Sequence, residues 1–376
     1  MVERRWLVCL GPPVVAAVAA GLLASVSIGA ADQPWDPPPC PGGLASLSSA
    51  VTVPDPTADA NRPVPDAWFT LDPLLDGSGT LAGQRLRAGL GSQRTRHVDL
   101  PPESSAAGPF GRLILVVADD ERRSEIRAID RRAGCAWRLG ASTDVIRRVT
   151  LDPAAGAVFE FRVHRSTRAD LGVWRRPLDG SAVRRVLGPL TADARFGRTF
   201  STTLGWTSEG DRLVVQSCGA VQCRTRLVEL STGRVVVLDD PGQGELVGVA
   251  GGHAIGYGAC DARPCPILTT DIASGQARPL AGAAGLASLV TTPIGPRVAT
   301  DTVRGAEVHR LDGAIEQTVG PPEAGLRLVP SSHGAASGTG VPPGWLAWAP
   351  DGRSPDGAML TRLSDGQIVR LAEVTP

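Results

Sequence analysis

Residues 202 to 238 read Thr-Thr-Leu-Gly-Trp-Thr (202–207), Ser-Glu-Gly-Asp (208–211), Arg-Leu-Val-Val-Gln-Ser-Cys (212–218), Gly-Ala-Val-Gln (219–222), Cys-Arg-Thr-Arg-Leu-Val-Glu-Leu (223–230), Ser-Thr-Gly (231–233) and Arg-Val-Val-Val-Leu (234–238). Four short runs rich in Val, Leu and Thr alternate with three clusters of turn-forming residues. Runs of this length, bounded by Gly, Ser and Asp, predict four antiparallel strands joined by tight turns.

The same grammar recurs on both sides. Downstream come Leu246 to Ala250, Gly251-Gly252, His253 to Cys260, a turn, Cys265 to Ile272, Ala273-Ser274-Gly275 and Gln276 to Leu280. A compact copy follows in Leu289 to Thr292, Arg297 to Thr302, Ala306 to Leu311, Asp312-Gly313 and Ala314 to Val319, and a last one runs from Leu326 to Val374 with Trp345 to Pro350 as an apolar strand. Upstream, Ile146 to Leu187 carries Asp152-Pro153 at its first turn and Asp179-Gly180 at its last, and Arg96 to Leu139 precedes it. Asp-Gly and Ser-Gly recur before the closing strand because a tight hairpin needs positive φ. Six copies span residues 93 to 376, 284 residues at about 47 per copy, which is the length of one propeller blade.

Between Pro41 and Ser92 lies one further repeat length, with Ala67 to Leu71, Asp76-Gly77-Ser78-Gly79 and Thr80 to Leu86. The expected fold is therefore an all-β propeller of four-stranded blades, seven in number; six blades with a Pro-rich amino-terminal arm is the alternative. Residues 32–66 are expected to form that arm with part of a degenerate blade, and 67–376 the propeller. Residues 53–66 hold four prolines, and 331–344 are rich in Gly, Ser and Pro, so both are predicted loops. No long amphipathic helical pattern interrupts the strands, which argues against a βαβ fold. A blade buries neither face alone, so neighbours must stack. Val214, Val215, Leu227, Leu230, Val235 and Val237 supply the packing, with Trp137, Trp174, Trp206 and Trp348 as larger fillers.

The turns Thr150-Leu151-Asp152-Pro153, Trp206 to Asp211 and Trp348-Ala349-Pro350-Asp351-Gly352 resemble the Ser-Pro-Asp-Gly signature of TolB-type and WD-like propeller repeats, as does Gly172 to Gly180. The resemblance covers most of the chain, although several blades lack the proline, the aspartate or both. It implies a fold more firmly than an activity, and such proteins are often binding scaffolds.

Glu3, Arg4 and Arg5 precede an uncharged stretch from Leu7 to Ala31, the pattern of an export signal over residues 1–31 with cleavage near Ala31. The alternative is an uncleaved membrane anchor. Export fits the cysteines. Beyond Cys9, six remain, enough for three disulfides. Cys218 with Cys223, and Cys260 with Cys265, each flank a predicted hairpin turn, leaving Cys40 with Cys135 to tie the amino-terminal segment to the body. A zinc site built from the two close pairs is the rival reading. Each short loop contributes about 2 kcal/mol in the chain-entropy model, and the long one about 4 to 5 kcal/mol.

The chain has 38 basic and 38 acidic residues, every basic one Arg, so no field exists to attract nucleic acid. His97, His164, His253, His309 and His333 are scattered without metal-ligand spacing, no Gly-x-Ser-x-Gly elbow occurs, and a Walker loop needs a lysine. No catalytic residue, metal or cofactor is assigned. The expected function is a non-catalytic, extracytoplasmic binding or scaffold protein of the cell envelope, monomeric, with a protein partner. Two alternatives stand beside it: a propeller-type hydrolase or lyase acting on a sugar or lactone, with Asp152, Asp211 and Asp351 lining one rim, and a membrane-anchored sensor.

Overall fold

The computed structural model describes residues 26–28, 33–34, 36–50, 68–89, 96–110, 112–152, 156–189, 201–207, 212–218, 223–238, 243–258, 260, 264–330, 339–341, 343–350 and 358–371. The predicted export signal lies outside them except for Val26–Ile28. The strands form seven sheets, five of four strands and two of five. The chain is a seven-bladed β-propeller.

The stretch that decided the reading is the fourth blade: Ser201–Thr207, Arg212–Cys218, Cys223–Glu229 and Arg234–Leu238, paired in order and antiparallel. Alternation along a strand sends successive side chains to opposite faces. Leu213 and Val215 accordingly join a cluster with Phe159, Phe161 and Val173 of the third blade, whereas Val214 packs with Leu246 and Ala254 of the fifth. Six of the seven apolar clusters bridge neighbouring blades in this way. Full burial of one Val or Leu contributes roughly 1.5–3 kcal/mol, so the ring is held by repeated blade-to-blade contacts rather than by one central core.

Val235 and Val237 depart from the packing expected of them, being 44% and 42% exposed. They sit on the outermost strand, where blades splay apart and the facing blade no longer reaches. Trp137 and Trp348 are buried as fillers. Trp174 is half-buried, held between the guanidinium groups of Arg162 at 4.5 Å and Arg185 at 5.9 Å.

Two boundaries differ from the sequence reading. Arg96–Leu100 is the outermost strand of the first blade, and the second begins at Ser105. The segment expected to be a simple loop at 331–344 supplies Thr339–Gly340, which pairs with Phe69 and Thr70 and forms the inner strand of the first blade. The first blade therefore takes its inner strand from residues that lie between the first two strands of the seventh, and this contact closes the ring.

The amino-terminal arm runs around the outside. Val26–Ile28 lies parallel to Val369–Leu371 of the seventh blade, Gln33–Pro34 parallel to Arg96–His97 of the first, and Pro39 bridges Ala136 of the second. Open strand edges invite pairing with other chains, and the arm covers three in succession. Beyond it, a short helical turn over Gly43–Ser46 and Leu47–Ala50 packs Leu47 and Ala50 against the second and third blades and accepts a hydrogen bond from the Trp137 indole at the Gly43 carbonyl, 2.9 Å.

Candidate functional site

The order of strands gives the ring two unlike ends. One end, the turn face, carries the links from first to second and from third to fourth strand of each blade. The recurring hairpins Asp179-Gly180, Thr232-Gly233, Ser274-Gly275, Asp312-Gly313 and Asp365-Gly366 all fall there, each glycine with φ between 71° and 91°. The other end, the crossover face, carries the links between blades and the loops from second to third strand. The disulfides Cys218–Cys223 and Cys260–Cys265 both close second-to-third loops, in the fourth and fifth blades, and so lie on the crossover face. Cys40–Cys135 instead locks the arm to the outer strand of the second blade, beside reciprocal backbone hydrogen bonds between Cys40, Ala136 and Pro38.

The crossover face is also where charge gathers. Arg165, in the second-to-third loop of the third blade, reaches back to the second: its guanidinium donates to Asp119 Oδ1 at 2.8 Å, to the Asp120 carbonyl at 2.7 Å and to the Thr143 carbonyl at 2.9 Å. Asp119 is buried and accepts in addition from the Ser124 hydroxyl. Arg168 grips both carboxylate oxygens of Glu103 at 2.9 Å, and Arg147 stands 4.0 Å from the same carboxylate. Arg168 adopts φ 58°, a left-handed conformation uncommon outside glycine, which turns its side chain toward Glu103. Asp120, in the second-to-third loop of the second blade, is held below the ordinary carboxylate range, first by the backbone N–H groups of Arg122 and Arg123. Opposite, Arg327 of the seventh blade meets Asp301 of the sixth at 2.5 Å.

Inside the ring, Arg148 lies on the inner strand of the third blade, just past a bulge that follows Ile146. Burial pushes its guanidinium down to about 10, Arg147 pushes the same way, and Glu245 on the inner strand of the fifth blade opposes both. Arg148 stays a cation at neutral pH. Guanidinium groups held in fixed forks, with carboxylates beside them, suit the recognition of charged and polar surface groups.

Of the three aspartates expected on one rim, Asp152 alone falls among the described residues. Asp152 closes the first strand of its blade and is buried. Asp351 and Asp211 lie outside the described residues, as does His333. The other histidines fall on separate blades: His309 is buried with Nε2 3.0 Å from Thr300 Oγ1, His253 Nδ1 is 2.6 Å from the Gly251 carbonyl, and His164 Nδ1 faces Ser166 Oγ. Among the described residues, no three His, Cys, Asp or Glu side chains converge as a metal would require.

The sequence reading missed Glu103, Arg147, Arg148, Arg165, Arg168 and Glu245. Only the charge run Asp119-Asp120-Glu121-Arg122-Arg123 signalled this face.

With this geometry in hand, comparison with known proteins bears on the fold. Neither a protein-family model nor a curated protein matches the chain in sequence. Solved structures do match. The β-propeller domain of the trilobed protease from Pyrococcus furiosus is 11% identical with a TM-score of 0.51, over 80% of this chain and 93% of that one. A puromycin hydrolase is 14% identical with a TM-score of 0.54, over 93% of this chain and 58% of that one. TolB from Acinetobacter baumannii is 13% identical with a TM-score of 0.49, over 82% of this chain and 68% of that one. The likenesses to the trilobed protease domain and the puromycin hydrolase are of fold. The chain spans about half the length of the prolyl endopeptidase, puromycin hydrolase and acylaminoacyl peptidase chains it resembles.

Proposed function

We propose that the protein is an exported, non-catalytic binding scaffold of the cell envelope that presents its crossover face to a protein partner. The observation that carries this reading is the placement of the two small disulfides. Each closes residues only five apart in sequence, too short a loop to add much to global stability. Both stiffen loops on the face where Arg165, Arg168, Glu103 and Asp119 are fixed. A loop already held in one conformation loses less entropy on binding, so local bonds of this kind act on recognition more than on folding. Disulfides also fit an oxidising compartment, in keeping with an export signal.

On this reading the signal is cut near Ala31. The cut removes Val26–Ile28 from the edge of the seventh blade and leaves Gln33–Pro34, Pro39 and Cys40 in place. Intact-mass measurement of the protein from its envelope or medium is expected to give an amino terminus at Asp32; an intact amino terminus indicates the anchored form instead.

The test of the binding role is capture of a partner from envelope extract by the oxidised protein, compared with a C218S/C223S/C260S/C265S variant. The variant is expected to keep its far-ultraviolet spectrum and lose most of the captured partner. Equal capture by both proteins sinks the proposal.

A further inference from the structure

Away from the crossover face, a groove of about 410 Å³ opens between the outer parts of the third and fourth blades. Its walls carry Arg175, Arg184 and Arg185, and Val186, Val228 and Leu230 line it with apolar surface. It exists because the outermost strand of the third blade is only the four residues Arg184–Leu187, so the blade ends early opposite its neighbour. A volume above roughly 300 Å³ is in the range of small-molecule sites.

Three arginines border this groove. Arg175 and Arg184 stand directly opposite one another across the strand pair and share a face of it, whereas Arg185, opposite Trp174, turns to the other face. Like charges at facing positions are destabilising. The adjacent Arg176 is compensated by Glu160, on the other side of the sheet. Asp179, exposed at the hairpin, attracts Arg175. Arg184 and Arg185 make no ion pair with a described residue, and Arg185 is steadied instead by the Trp174 ring, 5.9 Å from its guanidinium carbon. A repulsive pair of guanidinium groups beside an apolar surface is complementary to one kind of ligand, a molecule with an anionic head and an apolar body.

We infer that this groove binds an amphipathic anion, its carboxylate or phosphate head on Arg175 and Arg184 and its apolar body along Val186, Val228 and Leu230. Planar guanidinium forks match either head group. Binding relieves the repulsion between Arg175 and Arg184, so the ligand stabilises the third blade as it docks.

Titration calorimetry of the full oxidised protein with decanoate, decyl phosphate and decanol tests this. At least one anion is expected to bind about tenfold or more tightly than decanol, and to weaken when salt is raised to about 1 M. The head group that binds identifies the ligand class. Arg184→Glu is expected to lower that affinity about tenfold while keeping the thermal midpoint at or above that of the parent, because it converts a repulsive pair into an attractive one. Arg304→Gln, on an exposed turn of the sixth blade, leaves the affinity unchanged. Equal binding of decanol and both anions, unaltered binding by the Arg184→Glu protein, or equal loss in the Arg304→Gln protein overturns the assignment.

Discussion

Arg226 shows how single residues join the blades. It lies on the third strand of the fourth blade, and its guanidinium reaches across to Asp170 of the third at 3.0 Å and to the Gly188 carbonyl at 2.9 Å. Both side chains are 4% exposed. Burial pushes the Arg226 guanidinium down, and Asp170 opposes that shift. Removing one partner of such a pair leaves the other buried and uncompensated. Arg226→Met is therefore expected to lower unfolding stability by about 3–5 kcal/mol, and joint replacement of both residues by apolar ones by less. Denaturant midpoints check this, and a loss under about 1 kcal/mol contradicts it. Glu316 belongs to the same scale. Its carboxyl is held below the ordinary 4.5 chiefly by the hydrogen bond from Arg297, with burial working in the opposite direction. A depressed value in the folded protein means stabilisation that is fully present above the unfolded value and lost as pH falls through the folded one. Stability should decline as pH drops below the ordinary carboxylate range, and Glu316→Gln should flatten part of that slope in denaturant midpoints measured against pH.

At the scale of elements, the three disulfides differ in what they constrain. Cys40–Cys135 joins residues 95 apart and fixes the arm, whereas the other two join residues five apart. C40S/C135S is expected to cost about 4–5 kcal/mol, against about 2 kcal/mol for C218S/C223S. Denaturation under non-reducing conditions orders them, and equal losses would contradict the assignment. Elements also show how far the sequence could be read. The four strands of the fourth blade were legible because each is a local run of alternating residues closed by a turn that its own glycine permits. The groove of Arg175 and Arg184 was not, since both are ordinary surface arginines until the ladder sets them face to face. The charged rim was equally hidden: Glu103 and Arg168 are 65 residues apart and meet only when two blades stack.

For the whole molecule, closure and edge protection rest on short segments. Against the mature chain that begins at Asp32, a chain starting at Cys40 lacks Gln33–Pro34 and Pro39, and so opens the edges of the first and second blades together. Exposed edges template pairing between chains, so light scattering on heating is expected to rise earlier for this protein than for the chain beginning at Asp32, with the same β-rich spectrum at low temperature. Identical scattering onsets would show that the arm does not guard those edges.

The sequence by itself determined the strand pattern, the turns and the repeat, because alternation of apolar residues and the positive φ of a glycine act over a few neighbours. Tertiary structure alone decided that Thr339–Gly340 completes the first blade, that the arm belts three edges, and which ends of the ring hold Asp152 and the small disulfides. Those contacts depend on the accumulated rotation of seven stacked sheets, which no local pattern carries.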